Sequence, residues 1–285
     1  MAAKRVAMIN MKGGVGKSTL TVNLAWQLSG IIGWDNNVLV VDLDPQFNAS
    51  QYMLGTTRYK SEVVDANRPT IWDIFEERSR VPGRDNVKAI NPSDVILNIV
   101  TWRSPNANRL DLLPSRLELA WSLKQPAGKD KLLSHFLDKV EDQYNLILID
   151  CAPTESMLTT AAYNAAPNVM VPVKPEFLST IGLPLLAKSI ADHNAEPETS
   201  KTSVCGLIFN YASDYVPEEE LAKKGVRSVA ATNSWPILPV EVPYSRSFPK
   251  GAREGKPLFK TSYARRKQKA KMSKLASEFA NAIGL

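Results

Sequence analysis

The run Lys12-Gly13-Gly14-Val15-Gly16-Lys17-Ser18-Thr19 carries the strongest chemical signal in the chain. Glycines let backbone N–H groups converge on a polyphosphate, and a helix opening directly after them adds positive potential. Lys17 is placed to reach β- and γ-phosphates, Ser18 to offer its hydroxyl to Mg²⁺, and Thr19 to meet an α-phosphate. The common pattern G-x-x-x-x-G-K-[ST] asks for glycine where this chain has Met11. The run instead fits the deviant form K-G-G-x-G-K-[ST], whose extra lysine is Lys12. Carboxylates extend the chemistry. Asp150 closes an apolar run before a proline turn, placed to hold Mg²⁺ through water. Asp42 and Asp44 close another. Two residues apart on an extended chain they share a side, and one of them suffices to face a terminal phosphate.

Positioning these groups requires strands that end at a common edge. Residues 5–11, 38–42, 146–150, 169–173, 204–209 and 237–242 read as buried strands. Helical patterns occupy 18–28, 131–142, 156–166, 178–193 and 262–283. Near-continuous apolar strands alternating with amphipathic helices predict an α/β fold, a doubly wound and mostly parallel sheet flanked by helices. Residues 55–115 read as an excursion from that sheet: a short helix at 70–77, then alternating runs at 95–101 and 110–113 joined by a polar loop at 103–109. No repeat or linker interrupts the chain, so a single domain spanning 1–285 is expected.

The 285 residues are 44% hydrophobic and 22% charged, which excludes disordered and collagen-like architectures. Cys151 and Cys205 lie in apolar runs without CxxC spacing, arguing against zinc ribbons, iron–sulfur scaffolds and disulfides and for reduced thiols in the cytoplasm. No apolar stretch approaches the roughly 20 residues that span a bilayer, and no signal peptide precedes the glycine loop. His135 and His193 fall in helical patterns and read as structural. With no activated serine or cysteine and no catalytic histidine motif, water is the expected phosphoryl acceptor.

Charge is distributed unevenly. Residues 246–274 hold eleven Lys/Arg and one acidic residue, a balance of +10 in a chain of net +6. A basic quarter on a mildly acidic body implies a polyanionic partner held through one surface.

The segments KGGVGKST (12–19), VLVVDLDPQFNAS (38–50), LDLLPSRLELA (110–120), LILIDCAPT (146–154), VPVKPEFLSTIGL (171–183) and VPYSRSFPKGAREGKPL (242–258) together resemble the ParA family of partitioning ATPases, relatives of MinD. The resemblance implies a P-loop NTPase using ATP and Mg²⁺ and forming an ATP-dependent sandwich homodimer. Lys12 matches the signature lysine that crosses that dimer, Lys17 and Ser18 the phosphate and metal ligands, and Asp44 the residue that orients the attacking water. Asp42 and Asp150 match outer-sphere metal carboxylates. Glu176 falls where relatives reach a ribose across the dimer, and Asn210 and Pro243 fall near adenine contacts. The family usually has a second proline after the Walker-B strand, where this chain reads Asp150-Cys151-Ala152-Pro153. No helix-turn-helix precedes the loop, so operator-specific repression is not expected.

The resemblance also implies that Arg246, Lys250, Arg253, Lys256, Arg265, Arg266, Lys267, Lys269 and Lys271 hold DNA without sequence preference, giving a cytoplasmic, nucleoid-associated protein. A ParB-like or other adaptor would stimulate hydrolysis. Two alternatives stay open: a MinD-like positioning ATPase docking on membrane through a C-terminal amphipathic helix, and a small-molecule ATP-dependent enzyme on the same fold. Against the first, Met272, Leu275, Ala276, Phe279, Ala280 and Ile283 form a stripe suited to core packing.

Overall fold

Alternation along the strands decides the architecture. Val38, Val40, Leu146 and Leu148 enter one apolar core, while Leu39, Val41, Ile147 and Ile149 enter another. Successive side chains of a strand point to opposite faces, so these strands are covered on both. The computed structural model describes residues 2–30, 34–77, 90–102, 107–197, 199–213 and 217–285.

In chain order the elements are β1 (Lys4–Met8), α1 (Lys17–Gly30), β2 (Val38–Leu43), α2 (Asn48–Tyr59), α3 (Ile71–Glu76), α4 (Pro92–Val95), β3 (Leu97–Thr101) and β4 (Arg109–Leu113). There follow α5 (Leu119–Ser122), α6 (Leu132–Asp138), β5 (Leu146–Cys151), α7 (Met157–Ala165), β6 (Asn168–Val173), α8 (Ser179–Ala195), β7 (Ser203–Phe209), α9 (Pro217–Thr232), α10 (Ser247–Glu254) and α11 (Arg266–Ile283). The seven strands form one sheet in the order β3-β4-β2-β5-β1-β6-β7. All pairs are parallel except β3 with β4. This is the expected single-domain, doubly wound α/β fold. Helices α1, α2, α10 and α11 cover one face; α3, α6, α7, α8 and α9 cover the other.

Several expected elements differ. Residues 237–242 are not a strand: only two isolated bridges form, Leu207 with Ile237 and Asn210 with Val242. Pro236, Pro239 and Pro243 lack the N–H that a continuous ladder needs. The first strand stops at Met8, because the chain turns into the glycine loop. The 131–142 pattern divides into α6 and a 3₁₀ turn at Glu141–Gln143. The last helix starts at Arg266, after a tight turn closed by Ala264 N–H to the Thr261 carbonyl at 3.2 Å. Part of the 103–109 loop, 103–106, lies outside the described residues.

Helix α11 bears out its expected role. Met272, Leu275, Ala276, Phe279, Ala280 and Ile283 are all buried, so its apolar stripe is spent on the sheet and on α1. Among the described residues no helix is long and apolar enough to cross a membrane. Truncating Phe279 to alanine is therefore expected to cost about 3–5 kcal/mol, against under ~0.5 kcal/mol for the exposed Lys274→Ala. Urea denaturation would measure both, and a Phe279 loss below ~1 kcal/mol would mean a peripheral helix.

Candidate functional site

The glycine run forms a loop between β1 and α1, and two asparagines clamp it. Asn10 donates from Nδ2 to the Pro172 carbonyl at 2.7 Å, while its Oδ1 accepts from Lys12 N–H at 2.9 Å. Asn210, at the end of β7, donates from Nδ2 to the Val15 carbonyl at 2.8 Å. Gly14 and Gly16 hold φ of 75° and 88°, a region that costs other residues strain. At Gly16 a Cβ would lie 2.1 Å from Asn210 Nδ2, so the clamp itself demands glycine. Lys17, first residue of α1, turns Nζ back to the carbonyls of Asn10 and Lys12 at 3.0 and 3.1 Å.

The carboxylates meet at the adjoining strand ends. Asp42 and Asp150 are partners in the β2–β5 register, and both are fully buried. Asp42 is held firmly: its Oδ2 accepts from the Ser50 N–H at 2.7 Å and hydroxyl at 2.6 Å, and its Oδ1 from Asp44 N–H at 3.2 Å. Asp150 Oδ1 accepts from the Thr21 hydroxyl at 3.4 Å, while Oδ2 has no partner. Burial pushes Asp150 up to about 7, against the pull of the Ser18 hydroxyl and the Lys17 cation. Burial, and then the charge of Asp150, raise Asp42 well above the usual carboxylate range. Burial conversely lowers Lys17, with Asp150 opposing it. An unpartnered buried carboxylate oxygen beside a serine hydroxyl is the donor set a hard cation takes, so these residues fit Mg²⁺.

A cleft of about 480 Å³ opens over the loop, lined by Gly13, Gly14, Gly16 to Thr19, Asp44 and Pro153. Its far wall includes Asn48 and Gln51 of α2, Tyr211, and Arg253 of α10. Arg253, read from the sequence as part of an outer basic surface, thus lines the phosphate cleft. At the mouth Lys12 Nζ forms an ion pair with Glu176, which also pairs with Lys174. Lys12 first and then Lys174 lower the Glu176 carboxyl.

Residues 3–201 match the AAA_31 family, described as an AAA domain. The chain belongs to the ParA/MinD family of P-loop ATPases. It is 28% identical over 259 residues to the cell division protein PomZ of Myxococcus xanthus, covering 90% of this chain and 72% of that one. It is 31% identical over 190 residues to the sporulation initiation inhibitor protein Soj of Bacillus subtilis, a match spanning 66% of this chain and 64% of Soj. Among solved structures, the ATP complex of Cyanothece McdA superposes with a TM-score of 0.77 at 18% identity, covering 100% of this chain and 97% of that one, a likeness of fold.

The remaining residues expected to act in a ParA-type site fall in two places. Asn210 is buried with Oδ1 unpartnered, and Pro243 lines a second cavity of about 510 Å³ with Tyr244, Arg265, Lys267 and Lys271. Tyr211 belongs to both cavities and donates to the Thr19 hydroxyl at 3.3 Å. Arg246, Arg253, Lys256, Arg265, Arg266, Lys267 and Lys269 are exposed. Lys250 and Lys271 are half-buried. Lys250 bonds the Ser262 hydroxyl at 2.5 Å and lies 3.9 Å over the Tyr263 ring; Lys271 donates to the Glu241 carbonyl at 3.2 Å. Asn10, Ser50, Tyr211, Asn48 and Gln51 were not singled out from the sequence. Of these only Asn10 carried a signal, as a lone polar residue inside an apolar run.

The raised Asp150 has a consequence for stability. The native chain keeps a proton up to about pH 7 that an unfolded carboxylate near 3.8 has already released. The nucleotide-free protein is therefore expected to lose stability as pH rises from about 4 to about 7. Asp150→Asn should flatten that slope in melting temperatures taken across the window; an unchanged slope would refute the assignment.

Proposed function

We propose that the chain is an ATP-dependent, dimerising ATPase that holds DNA without regard to sequence and uses hydrolysis to partition or position a DNA or protein cargo. What carries the reading is one element, α10. Its last turn puts Arg253 into the phosphate cleft, and its start presents Arg246 on the basic surface. A change at the nucleotide thus has a short, rigid route to the residues that would meet a polyanion.

The site residues divide the work. The loop N–H groups and Lys17 bind the β- and γ-phosphates of ATP, and Thr19 the α-phosphate. Mg²⁺, held by Ser18 with Asp150 and Asp42 behind it through water, would neutralise charge on the β- and γ-oxygens. Asp44, nearly buried in the cleft wall and fixed by the Gln46 N–H at 2.8 Å, orients the attacking water. Asn210 Oδ1 and the Pro243 segment receive the adenine. Lys12 leaves Glu176 and crosses to the partner's nucleotide, and Glu176 turns to the partner's ribose. A cation supplied in trans ties phosphoryl-transfer chemistry to assembly. An adaptor bound to the cargo stimulates hydrolysis, which dissolves the dimer and frees the DNA.

DNA retention measured with ATP and with ADP across a salt series tests the switch. Retention is expected with ATP alone. With about six to ten phosphate contacts per dimer, affinity falls roughly 10³–10⁵-fold between about 50 and 200 mM salt. Equal retention with both nucleotides would overturn the reading.

The two catalytic side chains separate in their effects. Lys12→Ala should abolish ATP-dependent dimers in light scattering. Asp44→Ala should trap the DNA-bound dimer and slow turnover by roughly 10²-fold or more. A normal rate in the Asp44 variant would remove that residue from catalysis.

A further inference from the structure

Asn23 of α1 is fully buried, one turn beyond Thr19. Its side-chain amide joins three separate pieces of chain. Nδ2 donates to the Thr19 carbonyl at 2.8 Å and to the Tyr52 hydroxyl of α2 at 3.0 Å. Oδ1 accepts from the Leu258 N–H at 2.7 Å. Leu258 opens the 3₁₀ turn Leu258–Lys260, which follows α10. The Leu258 N–H must face an oxygen, so the amide has one usable orientation, and that orientation also satisfies both of its donors. A buried polar side chain is costly unless its groups are matched, and here the matching fastens α1, α2 and the end of α10 at one point.

A second set of contacts, made without Asn23, joins α2 to α10. Gly55 interrupts α2 at φ 70° and ψ 162°, and Gly255 caps α10 at φ 63°. The two meet backbone to backbone: a Cβ on Gly255 would lie 2.9 Å from the Gly55 nitrogen. A Cβ on Gly251 would lie 2.9 Å from the Tyr52 hydroxyl. Helix α10 thus rests directly on Tyr52 and Gly55, and close-packed elements pass displacement to one another rather than absorbing it.

We propose that Asn23 is the positioning residue that ties the basic surface to the nucleotide. The inference rests on the switch proposed above, in which Thr19 and Asp44 meet the triphosphate. Thr19 leads through Asn23 to Leu258. Asp44 closes the turn into α2, its carbonyl accepting the Phe47 N–H at 2.8 Å, and so leads through Tyr52 to the same amide. Phosphate at Thr19 and movement of the Asp44 segment therefore converge on one buried side chain. That side chain sets the end of the helix that bears Arg246 at its start and Lys250 and Arg253 along its length. Asn23 acts only through these neighbours.

Two measurements test it. In the wild-type chain, saturation with Mg²⁺ and AMPPNP should slow amide exchange at Leu258 by about tenfold. An unchanged or faster rate would overturn the proposal. The second measurement compares DNA retention with ATP and with ADP. Asn23→Leu, similar in volume and without polar groups, should bring that ratio to within about twofold of one, while MANT-ADP affinity stays within about threefold of wild type. Tyr52→Phe removes one bond of the three and should lower the ratio only severalfold. A merely structural asparagine would lower the melting temperature and leave the ratio alone, and that result would overturn the proposal while the switch stands. Loss of MANT-ADP affinity in step with the ratio would place Asn23 in the nucleotide site and overturn it too. Equal retention with both nucleotides in the wild type would remove the switch and this proposal with it. Should Asn23→Leu fail to fold, the exchange rate in the wild-type chain decides.

Discussion

Two carboxylates share one register position on neighbouring strands and neither touches water. Such a pair is unfavourable on its own terms, because burial and mutual repulsion both oppose ionisation. The surroundings divide the difficulty between the two side chains. Asp42 is given backbone and hydroxyl donors from Ser50, and becomes the fixed point on which α2 starts. Asp150 keeps an oxygen free and faces Lys17 and Ser18. A divalent cation is what completes such an arrangement. The resting protein therefore stores, at the end of its sheet, an electrostatic deficit that a bound cation would remove.

That deficit is useful only if the phosphate loop stays in register with it. The loop hangs between strands, and glycine-rich segments lose much entropy on ordering. Asn10 and Asn210 supply the fixation through bonds to Pro172 and Val15, fastening the loop to β6 and β7 rather than to β5. The buried carboxylates Asp42 and Asp150 come from one side of the loop and its clamps from the other. A shift of β6 or β7 relative to β5 would move the loop against Asp150. The adenine candidates Asn210 and Pro243 sit on that same clamping side, so in the proposed function base recognition and loop placement would share a residue.

The fold class, the strand ends and the loop were legible because each rests on local pattern: apolar runs, a glycine cluster, carboxylates at run ends. The core stripe of α11 was legible for the same reason. Helices α2, α9 and α10 were not. Gly55 breaks α2 with a φ of 70°, Gly225 interrupts the α9 pattern, and α10 contains Pro249 and Gly251. Residues 237–242 misled in the opposite direction, since β-branched residues favoured a strand that the prolines then prevented. Within the site, the loop residues 12–19 and the carboxylates at the strand ends were found. Tyr211, and the placement of Arg253 in the cleft, were not, because they reach it from 190 or more positions away. Charge count alone grouped Arg253 with the basic surface; it is exposed, and the packing of α10 on α2 sets it at the rim of the phosphate cleft as well.

The ion pair at the mouth of the cleft shows how a switch can rest on weak contacts. Lys12 and Glu176 retain 23% and 35% of their side-chain exposure, so their attraction contributes no more than about 1 kcal/mol. Such a pair cannot act as a barrier. It can decide where the lysine waits. In the proposed dimer a triphosphate presented by a second protomer would offer several charges in a drier setting, and the exchange of partners would then favour that protomer. Glu176 must find a new contact at the same moment, and Lys174 remains beside it in either state. In the proposed cycle both side chains change partners together. An empty or ADP-loaded neighbour would satisfy only part of that exchange, which is how, in the proposed cycle, a weak pair would discriminate between nucleotide states.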